Sequence, residues 1–292
     1  MGPVVLADFF KLNAPFKKFT TQGAIATHFS TSSQLENVLY EPSQWPTPPF
    51  KVDGKTFKNV SLSKTKFEKV SFQNCHFEDC LIIGCLFEEV EFHRCTFIDC
   101  NFYKTESYKC YLDPTTIYFN PNYKKTHANV GVGLYHQLLD NSADQHQARH
   151  SMHADIAFRR WQRAQLRRDM EVGKITKIEF PIYFVRSLIF DWLAGYGYRP
   201  SKFFMWTIVL FLLVSLLNYC FLSSSLKVAD ASASGANLVD SVYYTFSVLT
   251  VLGFSTVTPI SPSAKLVTVM EALAAIGWLG IFTSVLVKRF IR

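Results

Sequence analysis

A chain of 292 residues, 49% of them hydrophobic, has room for two or three domains and leaves a single soluble fold as one option among several. Its net charge of +7 is too modest to name a partner: nucleic acid, anionic lipid and the cytoplasmic side of a membrane protein all remain open, so placement matters more than size. Six of the seven cysteines (Cys75, Cys80, Cys85, Cys95, Cys100 and Cys110) lie at multiples of five from one another, which argues against a disulfide framework or paired C-x-x-C zinc ligands and for reduced thiols in a repeat.

The N-terminal segment, 1–50, begins "MGPVVLADFF". It has no charged leader before an apolar core, and Leu6 stands where a myristoylation motif has Ser or Thr, so no targeting peptide is expected. The next segment, 51–112, repeats itself. Phe57, Leu62, Phe67, Phe72, Phe77, Ile82, Phe87, Phe92, Phe97 and Phe102 recur every five residues, and two positions before most of them stands a small or β-branched residue such as Val60, Thr65, Cys75 or Cys80. A period of five fits neither the 3.6 of an α-helix nor the 2.0 of a strand, so each unit must turn a corner.

These residues resemble the pentapeptide-repeat family over about 58 residues. The resemblance implies a right-handed quadrilateral β-helix with the central Phe and the small residue inward and the remaining positions in water. Residues 20 apart then stack at about 4.8 Å, Cys75 over Cys95 and Cys80 over Cys100. The cysteines read as core filling rather than metal or redox groups. Ten repeats make only a short coil, whose ends call for capping by flanking segments or neighbouring subunits. Some members of this family imitate DNA and bind topoisomerases, which requires a strongly negative face. Between 51 and 112 there are nine Lys or Arg against nine Asp or Glu, so the coil is neutral and the expected role is a scaffold or assembly module.

The helical connector, 113–179, starts with the turn formers of "LDPTTIYFNPNYKK". Two helices are expected to follow, the second carrying Ala154, Ala157, Phe158, Trp161 and Ala164 on one stripe and Arg160, Arg163 and Arg167 on another. The arginines could meet lipid headgroups or nucleic acid, but a charged helix face is more often solvated or paired. His146, His150 and His153, spaced i, i+4, i+7, could place three imidazoles on one helical face, although no fourth ligand or acidic partner accompanies them.

The last segment, 180–292, is membrane-like. "FFMWTIVLFLLVSLLNYCFL" (203–222) and "LVTVMEALAAIGWLGIFTSVLV" (266–287) each have the length of a spanning helix. Arg199 and Lys202 before the first, with Lys288, Arg289 and Arg292 after the second, put both termini in the cytoplasm of a multi-pass plasma-membrane protein. "FPIYFVRSLIFDWLAGYGYRPSK", interrupted by Arg186, Asp191 and Gly195, fits a helix lying in the interface, started by Pro181. Between the spans, 239–250 is long enough for a helix that dips in without crossing, and "LTVLGFSTVTP" (249–259) follows. Irregular backbone at membrane depth is tolerated where it lines a watery path, and a helix ending there aims its negative end at a cation.

This arrangement resembles the two-transmembrane potassium channels over about 90 residues. Their filter reads T-x-G-[YF]-G-D with a proline three residues on. Counted back from Pro259, the match is Val251, Leu252, Gly253, Phe254, Ser255 and Thr256, with Thr250 one residue early; another register treats Leu252 as an insertion. The family's filter threonine, second glycine and acid are replaced by Val251, Ser255 and Thr256, which implies an incomplete set of ion sites and weak preference among monovalent cations. Gly277 and Gly280 stand where the family's inner helix bends, and glycine also serves close helix packing. Glu271 is costly in lipid and should face a partner such as Thr245 or Ser247.

The fold class expected is therefore a membrane α-helical two-transmembrane pore domain with a cytoplasmic β-helix and a helical connector. The resemblance implies a homotetrameric cation channel in membrane lipid, with Thr250, Val251, Leu252, Gly253, Phe254 and Ser255 as filter and Gly277 and Gly280 as hinge. Its only small-molecule requirement is the permeant K⁺ or Na⁺, and nucleic acid is not an expected partner. No catalytic triad, Walker loop or Rossmann glycine pattern occurs, so no enzyme is expected. The competing classes are a membrane-anchored scaffold without conduction and a nucleic-acid- or topoisomerase-directed pentapeptide protein.

Overall fold

The computed structural model describes residues 12, 16–41, 49–228, 236–250 and 255–290. They fall into two units, Met1–Ser187 and Leu188–Arg292.

In the first unit the period of five becomes a four-walled coil. Phe57, Phe77, Phe97 and Ile117 pair in register along one wall, Phe67, Phe87 and Ser107 along a second, and Val52, Phe72 and Phe92 along a third. Single bridges from Ser61 to Leu81 and Leu81 to Asn101 join the fourth. All these pairs are parallel, so each coil lies directly on the one before it. The rings inside stack face to face, with centroids 4.5 Å apart for Phe57 and Phe77, 4.7 Å for Phe77 and Phe97 and 5.0 Å for Phe72 and Phe92.

The corners explain the period. From Gly54 to Lys109 every fifth residue has φ between 51° and 63°, including Lys64, Glu89 and Arg94. Left-handed backbone costs a residue with a side chain about 1–2 kcal/mol. Against that cost corners gain backbone bonds into the next coil, as in Lys64 N–H to Ile83 O at 2.8 Å, Asn74 to His93 at 2.9 Å and Asp79 to Ile98 at 3.0 Å.

The small inward residues also bond between coils. The thiols of Cys80, Cys85 and Cys100 donate to the carbonyls of Phe57, Leu62 and Phe77 at 3.5, 3.0 and 3.5 Å. Thr105 does the same to Ile82. Burial pushes the Cys85 thiol up to about 12, and it also raises Cys100 and Cys110. These thiols stay protonated, as donors must. Most outward positions of three walls reach water, Asn59 excepted, whereas Ser61, Ile83 and Asn101 of the fourth are buried. Ion pairs such as Lys66–Glu88 (2.8 Å) and Lys58–Glu78 (3.1 Å) interlace the charged positions.

Flanking segments close both ends of the coil. At the start, strands Lys17–Phe19 and Gln34–Tyr40 add two further parallel layers. Between them α1, Gln22–Thr31, lays Ile25 and Phe29 over the end, Phe29 reaching Phe57 at 5.5 Å between ring centroids. At the other end, after α2 (Pro121–Thr126), helices α3 (Ala128–Asp144) and α4 (Ala148–Glu171) form a hairpin whose Leu134, Tyr135, Leu138, Ala154 and Trp161 continue the same core. Gly131 admits the Trp161 indole: a Cβ there would sit 2.2 Å from the ring. Asn141 stands in for a missing strand, its carboxamide accepting from Cys110 N–H and donating to Cys110 O, both at 2.8 Å and fully buried.

The hairpin turn removes one sequence expectation. His146 lies before α4 with φ 54°, so the three histidines do not share a helical face, and among the described residues no His/Cys/Asp/Glu group is arranged to hold a metal. His150 instead bonds Gln147 at 2.9 Å and packs on Tyr111. Of the arginines, Arg163 donates to Ser187 O at 3.3 Å.

Two substitutions test this construction in the full chain in detergent, followed by urea unfolding. Phe77→Ala, which removes the middle ring of a stack, is expected to cost about 3–5 kcal/mol; a loss under about 1 would mean that the ring is not interior. Asn141→Ala leaves two buried backbone groups of Cys110 unpaired and is expected to cost about 2–4 kcal/mol, more than Asn122→Ala in the exposed helix α2.

Candidate functional site

Two helices of the second unit are long and apolar enough to cross a bilayer. After α5 (Glu179–Ala194), α6 (Pro200–Leu217) continues through a π-helical turn, Asn218–Leu222, to give an apolar stretch from Pro200 to Ser225 with mean hydropathy 2.1. Within α8, Pro262–Phe290, the stretch Pro262–Lys288 has mean hydropathy 1.8. At 1.5 Å per residue each exceeds the ~30 Å of hydrocarbon. Within the chain only 11% and 6% of an 18-residue apolar segment of each is buried, which leaves those apolar side chains for lipid or other chains.

On α8 the residues turned toward the rest of the unit alternate at spacings of four and three: Ala264, Thr268, Glu271, Ala275, Trp278, Phe282 and Val285. This is the seam of a helix packed along its neighbours. Phe203 of α6 stacks on Trp278 at 4.6 Å, and the Trp278 indole donates to Thr207 Oγ1 at 3.0 Å.

Between the spans lies α7, Leu238–Leu249, 12 residues and too short to cross. Asn237 and Asp240 start it with a reciprocal capping box, Asp240 N–H to Asn237 Oδ1 at 2.9 Å and Asn237 N–H to Asp240 Oδ2 at 3.0 Å. One face buries Ser241, Tyr244, Thr245 and Ser247, and the Tyr244 hydroxyl bonds Thr268 of α8. Thr250 is the C-cap, so the helix's negative end meets the segment that follows. An antiparallel pair, Leu226–Val228 with Val257–Pro259, clamps the chain on either side of this insertion, aided by Ile260 N–H to Ser225 O at 2.9 Å.

Of the residues expected to form a filter, Val251, Leu252, Gly253 and Phe254 lie outside the described residues. The two that flank them are placed. Thr250 donates its hydroxyl hydrogen to Phe246 O at 2.6 Å, leaving its oxygen lone pairs as acceptors. Ser255 Oγ accepts from Val257 N–H at 3.0 Å, turning the serine toward its own backbone. Gly277 and Gly280 lie mid-helix in α8, and a Cβ at either would meet nothing within 4 Å, so no packing inside the protomer demands glycine there.

The partner of Glu271 is not directly a hydroxyl of α7. Asn218, in the π-helical turn, stands between the two: its Nδ2 donates to Thr245 Oγ1 at 3.0 Å and to Glu271 Oε2 at 3.4 Å. Thr245 passes its own hydrogen to Ser241 O at 2.7 Å. Sequence periodicity could not find Asn218, because it reads as one polar residue in an apolar run.

At the opposite end of the spans, α5 carries exposed Ile182, Phe184, Leu188, Ile189 and Trp192, and a Thr176–Glu179 pair caps its start, with Thr176 N–H to Glu179 Oε2 at 2.8 Å. It ends in a left-handed run, Gly195, Tyr196 and Gly197. Lys288 reaches this elbow: its Nζ donates to Tyr196 O at 2.9 Å and lies 4.1 Å from the Tyr198 ring centroid. Gly197 has φ 88°, and a Cβ there would come within 3.0 Å of the lysine stem.

Comparison with known families meets this geometry at two places. Residues 205–292 match the family model described as ion channel, and residues 62–106 match that of pentapeptide repeats, nine copies. No curated protein matches the chain. Two apolar helices flanking a short capped helix, matched to an ion-channel domain, follow a parallel coil matched to pentapeptide repeats: the chain is a membrane protein in which a pentapeptide-repeat β-helix is fused to a two-transmembrane, channel-like domain.

Proposed function

We propose that four copies of this chain form a cation channel of the potassium-channel-like class, weakly selective among K⁺ and Na⁺, with filter residues Thr250 to Ser255 around the shared axis. The observation that carries the reading is α7: a capped helix, too short to cross, ending at Thr250 and held between two spans. Four such ends would direct partial negative charge at one point, which favours a cation. The acceptor lone pairs that Thr250 keeps and the mostly unburied spans fit a subunit that is completed by lipid and by its own copies. The pentapeptide coil and hairpin would then be a cytoplasmic assembly or sensory module, both termini lying inside the plasma membrane by the excess of Lys and Arg at the ends of the spans. The interlaced charges of the coil do not supply the negative face that imitation of DNA requires.

The gate belongs to the other end of α8 on this reading. Gly277 and Gly280 lie between the Glu271 contact and the Lys288 contact, so bending there would swing the end of α8 while its outer half stays anchored. The hydrogen bond from Lys288 to Tyr196 O resists that swing.

Purified chain in liposomes is expected to pass K⁺ and Na⁺ but not anions, as read from reversal potentials in two-salt gradients. Ser255→Gly should raise the K⁺/Na⁺ permeability ratio; an unchanged ratio would place Ser255 in the closing turn rather than at an ion site. For the gate, single-channel records of Lys288→Met should show a higher open probability and those of Gly280→Ala a lower one, with the permeability ratio unaltered in both. Open probability indifferent to both substitutions would move the gate away from this end of the helix.

A further inference from the structure

All three membrane helices of the protomer meet at one side chain, the carboxamide of Asn218. Its two N–H groups are divided between α7, through Thr245 Oγ1 at 3.0 Å, and α8, through Glu271 Oε2 at 3.4 Å. Thr245 hands its hydrogen on to Ser241 O at 2.7 Å, so every donor in the chain has a defined direction. Asn218 is 1% exposed and Thr245 0%. One turn away on the same helices, Ser215 and Ser241 bury hydroxyls that have no hydrogen-bond partner.

Such a cluster is poor design for stability alone. Leucine would pack here without desolvating any polar group, and buried hydroxyls without partners are a direct cost. The backbone departs from the regular helix at the same place: Asn218–Leu222 is a π-helical turn, which loosens the hydrogen-bond ladder and re-aims the side chain at its start. Two independent departures from the cheapest helix therefore coincide at the residue that touches α7.

We propose that Asn218 is a positioning residue for ion selection, and that Glu271 acts through it by holding the carboxamide in the orientation that serves Thr245. This rests on the channel reading above. Thr245 lies five residues before Thr250, so a pull on its hydroxyl is transmitted along little more than one rigid turn to the end of α7. A neutral carboxamide, with two N–H donors, meets both demands. Leucine donates nothing, and an aspartate would set a carboxylate beside that of Glu271 with no hydrogen for Thr245. What Glu271 must supply is an acceptor oxygen, which glutamine also has.

The test uses the full chain reconstituted in liposomes, with K⁺/Na⁺ permeability ratios from reversal potentials. Asn218→Leu and Glu271→Leu are expected to shift the ratio by about two- to tenfold, the range of one lost hydrogen bond when it acts on one ion and not the other. Glu271→Gln should stay close to the wild-type ratio. Conducting Asn218→Leu channels with an unchanged ratio would overturn the proposal while leaving the channel reading intact, and so would Glu271→Gln behaving like Glu271→Leu. If the wild type passes no current, the channel reading fails, and the positioning claim is decided by amide hydrogen exchange over 238–250. That exchange should be faster in Asn218→Leu and unchanged in Glu271→Gln, whereas equal protection in all three proteins would refute it.

Discussion

A buried backbone N–H or C=O without a partner is the condition that this chain meets repeatedly and in different ways. A β-helix satisfies its coils internally but leaves an open edge at each end. Here the first edge is paired by the strands Lys17–Phe19 and Gln34–Tyr40 and covered by α1, and the last by a side chain, Asn141, whose carboxamide offers Cys110 the donor and acceptor that another strand would have supplied. The corners obey the same condition. Left-handed backbone at Lys64, Asn74 or Glu89 is unfavourable in itself, yet it persists because these corner amides reach carbonyls of the next coil.

In hydrocarbon the condition becomes stricter, since water is absent. The short helix α7 would be acceptable at such a depth because its first amides are answered by Asn237 and Asp240, its flanks are tied by the ribbon of Leu226–Val228 with Val257–Pro259, and its polar face meets Asn218 and Thr268. The carboxyl end of α7 at Thr250 leads into 251–254, which lie outside the described residues. On the proposed reading, the polarity of that end favours a cation. On the same reading, the contacts around Asn218 and around Lys288 hold α8 at separate points, so ion choice and opening would be adjusted separately.

Much of this was legible in residue order. The Phe ladder from 57 to 102 defined the coil, because a five-residue period admits few other solutions, and the two long apolar runs, the second broken only by Glu271, defined the helices long enough to cross. The short helix before Thr250 was visible from length alone. Less was visible at 1–50, where α1 has a single capping threonine, Thr21, and only Ile25 and Phe29 as buried residues, too few for a periodic signal. The histidines at 146, 150 and 153 misled because spacing assumes an unbroken helix, whereas the chain turns at His146.

Residue order by itself determined which segments coil, which are long and apolar enough to cross a membrane and which is too short to, since these depend on short-range periodicity and on hydrophobicity summed along a segment. Tertiary structure decided which lone polar residues matter. Asn141, 31 residues from Cys110, and Asn218, 53 from Glu271, carry no local pattern. Their roles arise from a hydrogen-bond partner distant in the chain, and no periodic signal encodes such a pairing.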